Sequence, residues 1–150
     1  MRAYELWDES ADFPANVTIY GQSCSSTVSS FAVVGDLPPR LGATTELFVL
    51  NPLGLPTSTL IGLSNEAFGA TPLPFALDVF GATGCQLLTS AEFSVRNPQI
   101  VPLVSILPIT FPNDPSLLSL SLYCQAVALD AAANPLGVAL SHGIELRIEF

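Results

Sequence analysis

Short apolar segments, each ended by Pro, Gly or an Asn/Asp turn, follow one another along the whole of this chain, and no stretch keeps a helical period for long. Turn signals recur roughly every 8 to 12 residues, the spacing of an all-β fold. Thirteen Pro and ten Gly punctuate the chain. The pattern predicts a two-layer antiparallel β-sandwich, immunoglobulin-like or jelly-roll-like, built from about 8 to 10 short strands.

Composition narrows the class further. A chain of 150 residues makes one ordinary domain that buries roughly 68 to 70% of its unfolded surface. With 49% hydrophobic and 11% charged residues, it is too apolar to be disordered. Thirteen acidic residues face four Arg (Arg2, Arg40, Arg96, Arg147), there is no Lys, and the formal charge is -9. Nucleic-acid binding draws on Lys and Arg displacing phosphate counterions, so this balance argues against it. Anionic membrane surfaces are disfavoured for the same reason. No run reaches the 18 or so apolar residues of a spanning helix; the most apolar stretch, residues 100–109, is broken by Pro102 and Pro108. Residues 1–12 carry Glu5, Asp8, Glu9 and Asp12, unlike a signal peptide. If the protein is secreted, its leader is expected to lie outside this sequence.

Cysteine placement bears on compartment. Cys24 and Cys85 stand just after Gly21 and Gly84, where turns meet strands, whereas Cys124 shares the apolar phase of Leu120, Leu122, Ala126 and Ala128. Ser121, Tyr123 and Gln125 occupy the alternate phase. The reading pairs Cys24 with Cys85, leaves Cys124 as a small core hydrophobe, and puts the chain in an oxidising compartment. Three reduced, buried thiols are the alternative. A zinc site of the three Cys with His142 lacks the short Cys spacing of structural zinc sites.

Along the chain, strands are expected at residues 17–20, 30–34, 44–50, 58–64, 73–80, 85–89, 93–97, 100–110, 120–129 and 138–141, with a last alternating run through Ile144, Leu146, Ile148 and Phe150. Residues 73–80 read as a Pro-interrupted edge strand. In 93–97, Phe93 and Val95 are expected to face in and Glu92, Ser94 and Arg96 out. Asp114 and Pro115 read as N-cap and first residue of a helical turn. Asn-Pro-Leu-Gly occurs twice, at 51–54 and 134–137, and fits a type I turn. Residues 1–12 form an N-terminal arm in which 3–7 could be a strand, and residues 13–150 form the domain.

Chemistry-bearing clusters are sparse. His142, the only His, sits between Ser141 and Gly143 and reads as a solvated turn residue, because adjacent Ser and His point apart in an extended chain. No Gly-x-Ser-x-Gly elbow accompanies it. Asp78, Asp114, Asp130 and Asn134 could offer oxygens to calcium, yet Asp114 and Asp130 read as turn caps. Nothing singles out a carboxylate pair for glycoside hydrolysis. Tyr4, Trp7, Phe13, Tyr20 and Phe68 could build a sugar-stacking face, although aromatics are more often core. Asn16-Val17-Thr18 is a glycosylation sequon. Phe150 ending an alternating strand is a feature of outer-membrane barrels, but their strands are longer.

Several motifs taken in order, Thr71-Pro72-Leu73-Pro74-Phe75-Ala76-Leu77-Asp78, Gly84-Cys85-Gln86-Leu87, Leu107-Pro108-Ile109, Asn113-Asp114-Pro115-Ser116-Leu117, Leu122-Tyr123-Cys124-Gln125-Ala126 and Ala133-Asn134-Pro135-Leu136-Gly137 to Ser141-His142-Gly143-Ile144, resemble a C-terminal module of large secreted bacterial proteins. Gly21 to Cys24 and Pro39-Arg40-Leu41-Gly42 fit its start. The resemblance covers roughly residues 17–148 and departs at Cys124, where a small residue is commoner, and at His142, where Asn is. It implies a secreted, disulfide-bearing β-sandwich with no established catalytic activity.

The expectation is therefore a non-enzymatic structural or interaction module of an extracellular or cell-surface bacterial assembly, without cofactor or metal and with protein partners, its own copies included. The missing Lys removes one device that keeps sheet edges from pairing. Tyr4, Leu6, Trp7 and Phe13 are the residues expected to touch a partner. A carbohydrate-binding module, resting on Trp7, Tyr20 and Tyr123, and a carboxylate-based hydrolase are the alternatives.

Overall fold

The structure, a computed structural model, describes residues 17–24, 32–35, 39–50, 55–97, 99–101 and 104–149. The predicted arm and the first Asn-Pro-Leu-Gly segment lie outside these. In chain order the strands are β1 (Val17–Tyr20), β2 (Ala32–Gly35), β3 (Thr44–Leu50), β4 (Thr57–Gly62), β5 (Ala67–Phe68), β6 (Thr71–Pro72), β7 (Phe75–Ala76), β8 (Gln86–Leu87), β9 (Phe93–Arg96), β10 (Gln99–Val101), β11 (Val104–Thr110), β12 (Ser121–Leu129) and β13 (Val138–Arg147).

Two sheets carry the fold: a five-stranded one ordered β1-β13-β12-β4-β9 and a four-stranded one ordered β10-β11-β3-β2. Every strand pair is antiparallel. The core forms between them, where Val17, Cys124, Ala126, Ala128, Ala139, Ile144 and Leu146 of the larger sheet meet Leu47, Val49 and Leu107 of the smaller. This is the all-β sandwich the punctuated sequence predicts. Ala126, Ala128 and Ala139 are fully buried; residues this small at the centre of a sheet let the opposing layer approach closely.

A third layer, absent from the sequence reading, lies on the outer face of the larger sheet. Val127, on the face opposite Ala126 and Ala128, packs with Val138 and Leu140 against Leu77, Ala82, Cys85 and Cys24 in a second, smaller core. Residues 73–80 are not one edge strand. Only β7 pairs there, with β8, and a 3-10 turn, Asp78–Phe80, follows and ends at Gly81, whose φ of 99° is left-handed. Pro72 and Pro74 withhold the N–H groups that a longer ladder would need.

Other departures share one cause, the way strands are placed. The 100–110 run divides into β10 and β11. The segments 138–141 and 144–150, read as separate, join in β13, so His142 lies within a strand and is half-buried rather than in a solvated turn. β12 and β13 slip by one residue between Gln125↔Gly143 and Val127↔Leu140. That β-bulge sets Ser141 and His142 opposite Ala126 alone, and it lets Ala139 and Ile144, an odd number of residues apart, face the same core.

The predicted Asp114 cap is present: its carboxylate accepts the Ser116 N–H at 3.0 Å at the start of the 3-10 turn Pro115–Leu117. The second Asn-Pro-Leu-Gly forms its turn, Gly137 N–H donating to the Asn134 carbonyl at 2.9 Å. Among the described residues no helix is long and apolar enough to cross a membrane.

Candidate functional site

The disulfide is where the sequence placed it. Cys24 and Cys85 are bonded, with Cα atoms 5.2 Å apart, and Cys124 is free and buried. Two local structures hold the bridge. Cys24 exchanges hydrogen bonds with Leu140 on β13, N–H to carbonyl at 2.8 Å and the reverse at 3.2 Å. Cys85 closes a loop in which its carbonyl accepts the Leu77 N–H at 2.9 Å and the Asp78 carboxylate accepts the Gly84 N–H at 3.2 Å. The bridge thus joins the end of β1 to the third layer.

Beside it an open cleft of about 310 Å³ is lined by Ser23, Thr83, Gly84, Ala133, Asn134 and the two half-cystines. Its polar side chain of greatest reach, Asn134, is occupied: the amide nitrogen donates to the Val138 carbonyl at 2.7 Å, and the oxygen accepts the Gly137 and Val138 N–H groups at 2.8 and 3.2 Å. Among the described residues no carboxylate, imidazole or free thiol lines this cleft.

The other candidates also have structural work. The Ser141 hydroxyl donates to the His142 carbonyl at 2.7 Å and accepts the Ala126 N–H at 2.9 Å. It faces the backbone, not the imidazole. Burial holds the His142 imidazole below its ordinary pKa, opposed by its contact with the Gly143 carbonyl. Asp130 accepts the Ala132 N–H at 3.1 Å, and the Asp114 carboxyl is held low by the Ser116 N–H and hydroxyl. Glu92 is likewise held low, by the Ser90 hydroxyl at 2.7 Å and then the Leu63 N–H at 2.9 Å. Among the described residues no three His, Cys, Asp or Glu side chains gather as a metal site would require.

Of the expected aromatic face, Tyr4, Trp7 and Phe13 lie outside the described residues, as does the partner candidate Leu6. Tyr20 and Tyr123 meet edge to face, ring centroids 6.2 Å apart, and the Tyr20 hydroxyl donates to the Leu88 carbonyl at 3.2 Å. Both are half-buried, and burial pushes the Tyr20 phenol up. The hydrogen bond from the Tyr20 hydroxyl ties residue 88 to the sheet.

The feature missed in the sequence is the β9 edge of the larger sheet. β9 pairs with β4 through Ile61↔Phe93, Leu60↔Ser94, Thr59↔Val95 and Ser58↔Arg96. Directly opposed residues share a face, so Phe93 and Val95 lie on the inner side with Ile61 and Thr59, the face their alternation predicts. Their expected burial does not follow. β9 is last in its sheet, and Phe93 and Val95 stay 61% and 38% exposed. Leu63, just past β4, is 53% exposed. Among the described residues no strand pairs with the far side of β9, and alternate residues there point their N–H and C=O groups away from β4. The signal was present in the sequence, an alternating strand without Lys or Pro to guard it; what it lacked was the position in the sheet.

No protein-family model matches the chain, and no curated protein or solved structure does either.

Proposed function

We propose that this chain is a non-catalytic interaction module of a secreted or cell-surface bacterial protein, associating with protein partners, including its own copies, through the β9 edge. The observation that carries the reading is the juxtaposition of an edge with which no described strand pairs and the exposed Phe93 and Val95. Strand addition draws affinity from main-chain hydrogen bonds and specificity from the side chains that alternate along the edge. The disulfide supports an oxidising compartment, since such bonds persist outside the reducing cytosol. The self-satisfied polar groups around Ser141, Asn134 and Glu92 favour a structural role over a catalytic one.

Sedimentation velocity over a wide concentration range tests this reading. Wild-type chain should associate, and Val95→Lys, which sets a charge on the edge, should weaken association while leaving the β-sheet circular dichroism unchanged. A wild-type protein that remains monomeric at every concentration, or association indifferent to Val95→Lys, would count against the edge.

A further inference from the structure

We infer that the β9 edge receives residues 3–7 of a second copy of this chain as an added antiparallel strand, an inference that rests on the interaction reading above. Three observations converge on this occupant.

The first is phase. β9 offers Phe93 and Val95 on one side and Ser94 and Arg96 on the other. Residues 3–7 read Ala3, Tyr4, Glu5, Leu6, Trp7, so that in an extended strand Tyr4 and Leu6 share a side and Glu5 takes the other. Setting Leu6 against Phe93 and Tyr4 against Val95 matches apolar with apolar. A slip of two residues one way would put Asp8 on Phe93, and the other way Arg2 on Val95. The antiparallel sense follows the rest of the sheet, where every pair is antiparallel.

The second is charge. In this register Glu5 faces Ser94 and lies diagonal to Arg96, within reach of a long side chain. Arg96 is one of only four cations in a chain of formal charge -9. It is exposed, and among the described residues it has no ion-pair partner. Residues 1–12 hold Arg2 against Glu5, Asp8, Glu9 and Asp12. An acidic arm meeting an exposed Arg at a sheet edge is electrostatically matched.

The third is connectivity, which selects a second copy. β1 and β9 are opposite edges of one sheet. Were the arm to lie on its own β9, residue 8 would stand about 24 Å from Val17, five strand spacings away. Residues 9–16 could span about 30 Å at full extension. A link would also have to pass the chain that runs on beyond that level, where Ile148 N–H donates to the Leu120 carbonyl at 2.8 Å and Ser119 N–H to the Ile148 carbonyl at 2.9 Å. The margin of about 6 Å leaves little length for going around them, whereas the edge of a neighbouring copy sets no such limit. An arm leaving from the β1 edge and docking on the β9 edge of the next copy is a heterologous contact, which propagates as an open assembly unless the rotation closes a ring.

The test combines charge reversal with register-specific cross-linking of the full chain. Glu5→Arg or Arg96→Glu alone should each weaken self-association, by about fivefold, and the two together should restore it. Under mild oxidation, a mixture of Leu6→Cys chains and Phe93→Cys chains should form mixed dimers, whereas Leu6→Cys with Ser94→Cys should not. Phe93, Ser94 and Arg96 are exposed, so these substitutions leave the core alone. Cross-linking that ignores the 93/94 distinction, or association unchanged by both charge reversals, would overturn the arm while leaving the interaction reading intact. A monomer at all concentrations would overturn both. A single chain carrying both new cysteines that cross-links within itself as a monomer would overturn the second copy in favour of the chain's own arm.

Discussion

The Gln125 amide nitrogen donates to the Ser141 carbonyl at 3.0 Å, while the Ser141 hydroxyl accepts the N–H of Ala126, the residue after Gln125, at 2.9 Å. These two buried side chains close the polar groups that the β-bulge opens. Gln125 also holds the third layer, its oxygen accepting the Leu88 N–H at 3.0 Å and its nitrogen donating to the Gln86 carbonyl at 3.0 Å.

Replacing Gln125 with Met keeps the shape and strands three main-chain groups. An unsatisfied buried group costs about 1 to 3 kcal/mol, and partial exposure at the Gln86 end limits the sum. Gln125→Met should destabilise the domain by about 3 kcal/mol in urea unfolding. Hydrogen exchange should show faster opening at Leu88. Ser141→Ala strands the Ala126 N–H, also removes the hydroxyl's bond to the His142 carbonyl, and should cost about 1 to 3 kcal/mol.

Two glycines admit no side chain, for different reasons. A Cβ on Gly62 would collide with the Ser90 carbonyl, part of the backbone, whereas on Gly143 it would enter the Tyr20 ring. Overpacking typically costs about 1 to 3 kcal/mol. The Tyr20 ring can swing aside and the Ser90 carbonyl cannot without moving the main chain between β8 and β9, so thermal melts should rank Gly62→Ala as the more damaging. Gly143→Ala should also abolish the hydrogen bond from Tyr20 to Leu88, seen as a shift in tyrosine fluorescence.

The disulfide closes a loop of 61 residues in sequence separation. In the chain-entropy model that stabilises the fold by about 4 kcal/mol. The double variant Cys24→Ala/Cys85→Ala should lose close to this amount in denaturant titration. Burial pushes the Cys124 thiol up to about 12, so a thiol reagent should label nothing in the native protein and one group per chain once it is unfolded without reductant.

His142 gives the stability a pH dependence above the range of the carboxylates. Its folded pKa lies below the ordinary 6.5 because burial disfavours the imidazolium. The unfolded chain therefore binds the proton more readily, and stability rises with pH between the two pKa values. Stability should be full above about pH 6.5 and fall as the pH drops from there toward the folded value. Asp114 and Glu92, whose carboxyls are held below 3.8 and 4.5, act only at lower pH. Denaturant midpoints measured from pH 8 to 5 should decline for wild type and stay flat for His142→Asn.

Much of this was legible in the residues. The apolar phase of Cys124, Ala126 and Ala128 marked a core strand, and the same phase set Cys124 apart from the Cys24–Cys85 pair. Asp114-Pro115 and Asn134-Pro135-Leu136-Gly137 carry their own turn chemistry, since a short side chain, a fixed φ and a Gly act within four residues. The bulge defeated the same reasoning in β13. By reversing the phase between Ala139 and Ile144, it made one strand look like two and His142 look like a turn.

The sequence by itself determined the class of fold, the place of several principal strands such as β1, β3, β9 and β12, and the cysteine pairing, because period-two alternation, Pro and Gly geometry and cysteine phase are local properties. Only the tertiary structure decided what each face meets. Gln125 and Val127 sit on the solvent phase of β12 and are covered because a distant segment folds over them. Phe93 and Val95 sit on the core phase of β9 and remain exposed at the edge of the sheet, where among the described residues no strand lies beyond theirs. Burial depends on what lies across from a residue, and that neighbour is set by chain topology at long range, where alternation carries no information.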